Sequence, residues 1–507
     1  VYKWDVMDII KVRKKNQVYL TVDCEPSVAN ELVDFFAFYV PGYKHMPLYK
    51  NRQWDGKIYL YNSRDKQLYA GLYKYLEEFA AAEGRDYKIE LEHDSYYGYP
   101  STDHEVDLGF INELIITDNK GNAIKPRDYQ IEAVEHALSK RQAMLISPTG
   151  SGKSLIIYLL LRYFLEHSKK KALIIVPTTS LVQQLYTDFK DYSKLDESFD
   201  VDSLCHMIYA GKEKIDIKKR VIVSTWQSIY KMPASWFEPY GAIFGDEAHN
   251  FKAKSLTSIL TKLRDAEFRF GTTGTLDGTQ THKLVLEGLF GPCYYVTSTK
   301  NLMDTGTLAN LDIKVLLLKY SEELCQQVKK AKYQDEVDFI IRHEPRNRFI
   351  SNLALDQDGN TLVLFQFVEK HGKVLYDMIA NKAHERRKVF FVSGATDVDD
   401  REKIRSIVET EKNAIIVASL GTFSTGINIR NIHNIIFASP SKSQIRVLQS
   451  IGRGLRKSDD GRDTTLYDIT DDLHHKNHKN YTLQHGAERI KIYTREKFSY
   501  KIYEVPL

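Results

Sequence analysis

Short, uniformly apolar runs of strand length recur along this chain, separated by stretches of helical patterning, and this alternation restricts the fold more than any other feature. Residues 143–147 (AMLIS), 172–176 (ALIIV) and 221–224 (VIVS) form a first series. Residues 361–365 (TLVLF), 389–392 (VFFV), 414–418 (AIIVA) and 434–438 (NIIFA) form a second. Strands without polar alternation are buried on both faces, the pattern of a parallel sheet covered by crossover helices. The expected architecture is therefore α/β, with two tandem parallel-sheet domains over 123–318 and 319–473. Residues 1–85 read as a small α/β domain, in which alternating segments at 18–22 and 57–61 surround a helical stretch near Glu31 to Tyr39. Residues 86–122 are expected as a connector with little structure of its own. Residues 474–507 are expected as a short, helical, basic C-terminal extension.

Length and composition fit this division. The 507 residues suit about three domains, and 43% hydrophobic with 27% charged residues excludes a disordered chain. The 4 cysteines lie far apart with no CxxC pair, so neither a disulfide framework nor a cysteine-rich zinc site is signalled. The sequence contains no apolar run long enough to span a bilayer. A soluble protein of a reducing, cytoplasmic compartment, without a membrane partner, is expected. The balance of 71 Lys+Arg against 67 Asp+Glu announces no polyanion by itself.

The strongest local signal is SPTGSGKS at 147–154, between an apolar strand and a helical run. A P-loop needs this context. Thr149, Gly150, Ser151 and Gly152 form a loop whose amides can close around a phosphate, Lys153 reaches the β- and γ-phosphates, and Ser154 can ligate magnesium. Ser147 stands where the usual pattern has glycine. Downstream, AIFGDEAH at 242–249 sets two carboxylates at the end of an apolar strand. Asp246 suits a magnesium ligand and Glu247 a residue that orients and deprotonates the attacking water. His249 reads equally as a buried, satisfied histidine or as a coupling residue. In QSIGRGLRK at 449–457, Arg453 and Arg456 share one helix face and suit the γ-phosphate. The plain alternative is a basic surface helix.

In order and spacing these residues resemble the motifs of superfamily 2 helicases, which carry two RecA-like domains. The resemblance implies ATP and Mg2+ as cofactors. It places Arg127, Tyr129 and Gln130 at adenine, and Thr273 and Thr275 in the coupling motif, where Gly274 replaces the common alanine. It places Pro177, Thr178, Thr179, Thr225, Trp226, Gln366, Ser419 and Thr422 on the nucleic-acid backbone, and Gly426, Gln449, Arg453 and Arg456 at the nucleotide. At finer grain, NRQWDGKI at 51–58, Gly291 and LYDITDD at 466–472 are similar to the UvsW-type helicases of tailed phages. That resemblance implies an ATP-dependent DNA helicase acting on forks, Holliday junctions and R-loops in recombination, repair and replication restart, with strand annealing besides. It implies as partners branched DNA or duplex–single-strand junctions, the RNA of R-loops, and single-strand-binding or recombination proteins. The setting is the host cytoplasm.

It also gives Arg52, Trp54 and Lys57 a DNA-contact role, although Trp54 before Asp-Gly fits a packed aromatic beside a tight turn equally well. An RNA helicase and the DNA-translocating subunit of a larger complex remain alternatives, because backbone-contacting motifs separate RNA from DNA poorly. Lys332, Arg342, His343, Arg346 and Arg348 are candidates for strand separation, or an ordinary charged helix surface. His474 and His478 have helical metal-ligand spacing, but Asn477 and Asn480 read as turn residues, and no metal is expected there.

Overall fold

The computed structural model describes residues 8–85, 87–209, 218–250, 254–276, 280–383, 387–422, 431–439, 451–452 and 461–507. The chain divides into two compact units, Val1–Ser147 with Gly152–Val296, and Pro148–Ser151 with Thr297–Leu507.

The first unit begins with a small sheet. Strands β1 (Asp8–Lys14) and β2 (Tyr19–Asp23) turn Ile10, Val12, Leu20 and Val22 inward, and the helix Pro26–Phe35 covers them with Val28 and Leu32, one turn apart. The helix expected as far as Tyr39 stops at Phe35. Residues Ala37–Tyr39 instead form β3, which pairs antiparallel with β4 (Lys57–Tyr59) because two aromatics there favour extended chain. Strands β5 (Tyr61–Asn62), β6 (Gln67–Tyr69) and β7 (Tyr87–Glu92) complete the sheet in the order β5-β6-β2-β1-β7. β7 lies inside the stretch expected as connector and pairs parallel with β1.

Seven parallel strands follow: β8 (Gln142–Ile146), β9 (Lys171–Val176), β10 (Cys205–Ile208), β11 (Val221–Thr225), β12 (Tyr240–Gly245), β13 (Phe268–Thr273) and β14 (Cys293–Tyr295). Their order is β10-β11-β9-β12-β13-β8-β14. Helix Lys153–His167 runs through the core, with Leu155 to Leu161 all buried, as an apolar helix against a parallel sheet must be.

The small sheet is docked tightly on this domain. Gly71 sits where an added Cβ would lie 1.8 Å from the Glu287 carbonyl oxygen, so only glycine permits the approach. Glu287 is itself buried, accepting from the Tyr75 hydroxyl at 2.6 Å and from the Cys293 amide at 2.9 Å. The Gln17 amide donates to the Arg264 carbonyl at 2.9 Å, and Gln142 Nε2 to the Gln17 carbonyl at 3.1 Å.

The second unit holds another seven-stranded parallel sheet, built from β15 (Leu311–Lys319), β16 (Thr361–Phe365), β17 (Val389–Val392), β18 (Ile415–Ser419), β19 (Asn434–Phe437), β20 (Thr464–Asp472) and β21 (Tyr500–Pro506). Its order is β17-β18-β16-β19-β20-β15-β21. β15 begins before the expected boundary at 318 yet belongs to this sheet. The C-terminal extension is helical over Tyr481–Arg495, and its end becomes the edge strand β21. Glu336 receives the Tyr481 and Thr482 amides at 3.0 and 2.8 Å, setting a carboxylate at that helix's N-terminus. Arg489 points inward to Asp468 at 2.6 Å, and Tyr493 donates to the same carboxylate at 2.7 Å.

One reading of the basic stretches is thereby decided. Arg346 is no surface cation: it is buried, paired with Asp471 at 2.7 Å, and donates to the Ala438 carbonyl at 2.8 Å. His475 and His478 exchange backbone hydrogen bonds in a turn, and no group of three or more metal-ligating side chains occurs among the described residues.

Gly71→Ala should cost about 1–3 kcal/mol through overpacking at the docking face. Chemical denaturation followed by far-ultraviolet dichroism measures it.

Candidate nucleotide site and nucleic-acid contacts

Parallel strands end on one edge, so residues that follow different strands meet there even when far apart in sequence. In the first domain that edge carries Ser147 after β8, Pro177 after β9, Trp226 after β11, Asp246 after β12 and Gly274 after β13. Ligands of open α/β sheets bind outside this edge.

The loop after β8 bends through two left-handed residues, Gly150 at φ 87° and Gly152 at φ 82°. A side chain would be strained at both. Thr149 lies in the same loop, and the buried Ser151 hydroxyl donates to the Pro148 carbonyl at 2.6 Å. Gly152 then caps helix Lys153–His167, so the helix start and its free amides form an anion site. Lys153 Nζ donates to the Ser147 carbonyl at 3.2 Å. Ser154 Oγ lies 2.8 Å from the Tyr192 hydroxyl.

Asp246 is held from two sides. Its Oδ1 accepts from the Thr272 hydroxyl at 2.7 Å and from the Glu247 amide at 2.9 Å. Burial, then the neighbouring Glu247 carboxylate, push its carboxyl above the usual range, while Lys153 opposes them. Glu247 adopts φ 50°, an uncommon conformation for a residue with a side chain. His249 is buried, with Nδ1 3.0 Å from Thr273 Oγ1 and 3.4 Å from Glu247 Oε2. Thr273 in turn donates to the Thr275 carbonyl at 2.9 Å. His249 is thus buried and hydrogen-bonded, and its ring stands between the end of the DEAH strand and Thr273.

Near the P-loop, the buried Gln130 accepts from the Arg127 amide at 2.8 Å, and its Nε2 stands 2.4 Å from where a Cβ on Gly152 would lie. Arg127 donates to the Tyr129 hydroxyl at 3.2 Å. Thr178 caps helix Thr179–Tyr192, accepting from the Leu181 amide. The Pro177 carbonyl accepts from Gln227 at 3.4 Å, and Thr225 bonds Ser228 at 2.9 Å beside Trp226, so the segments after β9 and β11 adjoin.

In the second unit Gln366, Ser419 and Thr422 border one cavity of about 410 Å³ together with Gly394 and Arg401. Ser419 donates to Thr422 Oγ1 at 2.7 Å. Gly426, Gln449, Arg453 and Arg456 lie outside the described residues.

On the small N-terminal sheet, Trp54 donates from Nε1 to the Lys57 carbonyl at 2.7 Å, the packed aromatic beside a turn. Lys57 Nζ lies 5.1 Å over the exposed Tyr39 ring, which stacks on Tyr43 at 4.5 Å. Tyr49 meets Tyr43 edge-on at 4.8 Å. Gly56, at φ 85°, admits the Tyr43 ring, which a Cβ would meet at 2.3 Å. Lys44 Nζ lies 5.9 Å over the Tyr43 ring, and Lys44, Lys50 and Arg52 are exposed.

Sequence reasoning missed Thr272, Tyr192 and the Tyr39–Tyr43–Tyr49 cluster. Thr272 adjoins Thr273 and was within reach of the motif. Tyr192 carries no local signal, since its partner lies 38 residues away. The buried oxygens of Asp246 and the Ser154 hydroxyl at a helix start form a hard-oxygen donor set beside a phosphate cradle, which fits a magnesium ion bound with nucleotide.

Two tandem parallel-sheet domains, the first bearing a P-loop and a DEAH strand end, define a superfamily 2 helicase. Family models agree along the chain: DNA helicase UvsW, N-terminal, over residues 8–92; type III restriction enzyme, res subunit, over 123–278; and helicase conserved C-terminal domain over 345–458. The ATP-dependent DNA helicase uvsW of Enterobacteria phage T4 is 36% identical, over 98% of this chain and 100% of its own. Its crystal structure matches with a TM-score of 0.51, covering 98% of this chain and 99% of that one. The DNA 3'-5' translocase XPB2 of Sulfurisphaera tokodaii is 24% identical over 66% of this chain and 80% of its own. Yeast Dbp5 bound to RNA and ADP BeF3, 16% identical with a TM-score of 0.52 over 75% of this chain and 90% of its own, shares the fold. The chain belongs to the UvsW family of ATP-dependent DNA helicases.

Asp246→Asn keeps an acceptor for Thr272 while removing the charge beside Glu247. It should raise the melting temperature in metal-free buffer and lower ATP turnover by at least about 10²-fold. Differential scanning calorimetry and a coupled ATPase assay read the two effects.

Proposed function

We propose that this helicase remodels branched DNA, acting on forks, Holliday junctions and R-loops in recombination, repair and replication restart, and annealing complementary strands. The observation that carries this reading is the end-to-end similarity to the phage T4 helicase, including its N-terminal domain. A motor alone needs no such domain. Here the domain adds the exposed Tyr39 ring stacked on Tyr43, with Lys57 and Lys44 over the two rings and Lys50 and Arg52 exposed in the same segment, a composition that suits phosphates and unpaired bases together. It is fixed to the first parallel-sheet domain by Gly71, Tyr75 and Gln17, so force generated there is transmitted to it.

In this reading Lys153 and the amides of Thr149 to Gly152 bind the ATP phosphates, Arg127, Tyr129 and Gln130 bind the base, and Ser154 and Asp246 hold magnesium. When bound, the ion neutralises charge on the phosphates. Glu247 takes a proton from the attacking water, and Arg453 and Arg456 offset charge on the transferred phosphoryl. His249 couples this chemistry through Thr273 and Thr275 to the backbone contacts at Pro177, Thr178, Thr179, Thr225 and Trp226. Gln366, Ser419 and Thr422 make the second unit's backbone contacts. Each cycle advances the protein along one strand. The setting is the host cytoplasm, and among the described residues no helix is long and apolar enough to cross a membrane.

Steady-state ATPase at one fixed salt, with no nucleic acid, single-stranded DNA, linear duplex, four-way junction and structured RNA, tests the proposal, with Lys153→Ala as blank. Junction DNA should stimulate most, and the blank should show no turnover. Stimulation by RNA alone, or equal stimulation by linear duplex and junction, contradicts the reading.

A further inference from the structure

The contact between Ser154 and Tyr192 joins two parts of the site that the motifs treat separately. Ser154 opens helix Lys153–His167, and Tyr158 follows it at i+4 on the same face. Tyr192 covers that face: its hydroxyl is 2.8 Å from Ser154 Oγ and its ring centroid 5.4 Å from that of Tyr158. Tyr192 is also the last residue of helix Thr179–Tyr192, whose cap is Thr178. This helix end is tied down, because Thr117, itself buried, donates its amide to the Tyr192 carbonyl at 3.2 Å and its hydroxyl to the Asp191 carbonyl. Thr117 belongs to the short bridge in which the Ile124 amide donates to the Ile116 carbonyl at 2.8 Å, just before Arg127 and Gln130.

We propose that Tyr192 is a positioning residue for the metal-ligating hydroxyl of Ser154, and that through it the helix beginning at Thr178 tunes magnesium affinity. A serine that gives a lone pair to a cation must send its proton elsewhere. The Tyr192 oxygen stands at hydrogen-bond distance to take that proton, which fixes the Ser154 rotor with its lone pairs free for the ion. Partners that orient a metal ligand in this way govern affinity nearly as strongly as the ligand itself. The helix of 14 residues is one stiff element with Tyr192 at one end and the Thr178 cap at the other. A strand held at Thr178 and Thr179 bears on the same helix that holds Ser154. By linkage, nucleic acid that steadies the helix strengthens magnesium–nucleotide binding, and the converse holds equally. The inference rests on the assignment of Ser154 to magnesium and of Thr178 to the nucleic-acid backbone.

The test is a magnesium titration of fluorescent mant-ADP binding by the full chain, with and without single-stranded DNA, for wild type, Tyr192→Phe, Ser154→Ala and the double variant. Phenylalanine keeps the ring packing against Tyr158 and removes only the hydroxyl. Expected results are a half-saturating magnesium concentration raised about ten-fold in Tyr192→Phe, mant-ADP binding in EDTA as weak as that of the wild type, and no further rise when Tyr192→Phe is added to Ser154→Ala. DNA should lower the wild-type half-saturation and leave that of Tyr192→Phe unmoved. ATP turnover of Tyr192→Phe should return to the wild-type value at saturating magnesium, which a general distortion of the site would not allow. If Ser154→Ala raises the half-saturation and Tyr192→Phe does not, or if the two effects simply add, the Tyr192 inference is overturned. If Ser154→Ala has no effect, the magnesium assignment beneath it fails as well. A DNA shift that persists in Tyr192→Phe overturns the helix link.

Discussion

Two carboxylates stand side by side where one strand of a parallel sheet ends, and most of the first unit can be understood as holding them there. Asp246 and Glu247 repel each other in a partly desolvated place, and burial alone already disfavours charge on Asp246. Such a pair persists because its surroundings over-determine it. Thr272 on the neighbouring strand grips Asp246, the Asp246 amide donates to the Ile175 carbonyl at 3.0 Å, and His249 packs between Glu247 and Thr273. Behind them the uniformly apolar strands and helix Lys153–His167 form the core that keeps the strand ends in register. The resulting excess of negative charge is opposed by Lys153 and by the helix start at Gly152.

The other parts are fastened by different means. The N-terminal sheet docks by close backbone approach at Gly71 and by the buried Glu287 carboxylate, whose partners come from both sides of the joint. In the second unit, Arg346 with Asp471 and Arg489 with Asp468 bind helices to β20. Removing one member of such a buried pair strands the other, so these contacts specify a single arrangement more than they add net stability. The C-terminal segment is thereby part of the second sheet's structure, with β21 on β15 and helix Tyr481–Arg495 over β20.

Much of this was legible in the sequence. The apolar runs marked the inner strands of both parallel sheets, because burial on two faces leaves no room for polar alternation. The phosphate loop and the DEAH strand end were legible because their chemistry is local. Edge strands were not. β7 (YKIELE) and β21 (YKIYEVP) are partly solvated and carry charges, so nothing in their composition separates them from loop. Nor were the buried cations: Arg346 lies in a charged stretch, and its partner Asp471 is 125 residues away, so spacing within one segment could not show that it turns inward. Tyr192 escaped notice for the same reason. The Tyr39–Tyr43–Tyr49 cluster was hidden because Tyr39 reads as the end of a helix, while Tyr43 and Tyr49 fall in separate short helical turns with no shared pattern.

We infer that the nucleotide site is complete only with a divalent cation. The most direct measurement is thermal unfolding of the wild-type chain with saturating ADP, once with magnesium and once with EDTA. A ligand that binds only the folded state stabilises it by RT ln(1 + [L]/Kd), and so raises the melting temperature. A clear upward shift is expected with ADP and magnesium together, and little or none with ADP in EDTA. An equal shift in both conditions would contradict it, because the carboxylates would then need no cation to accept the phosphates.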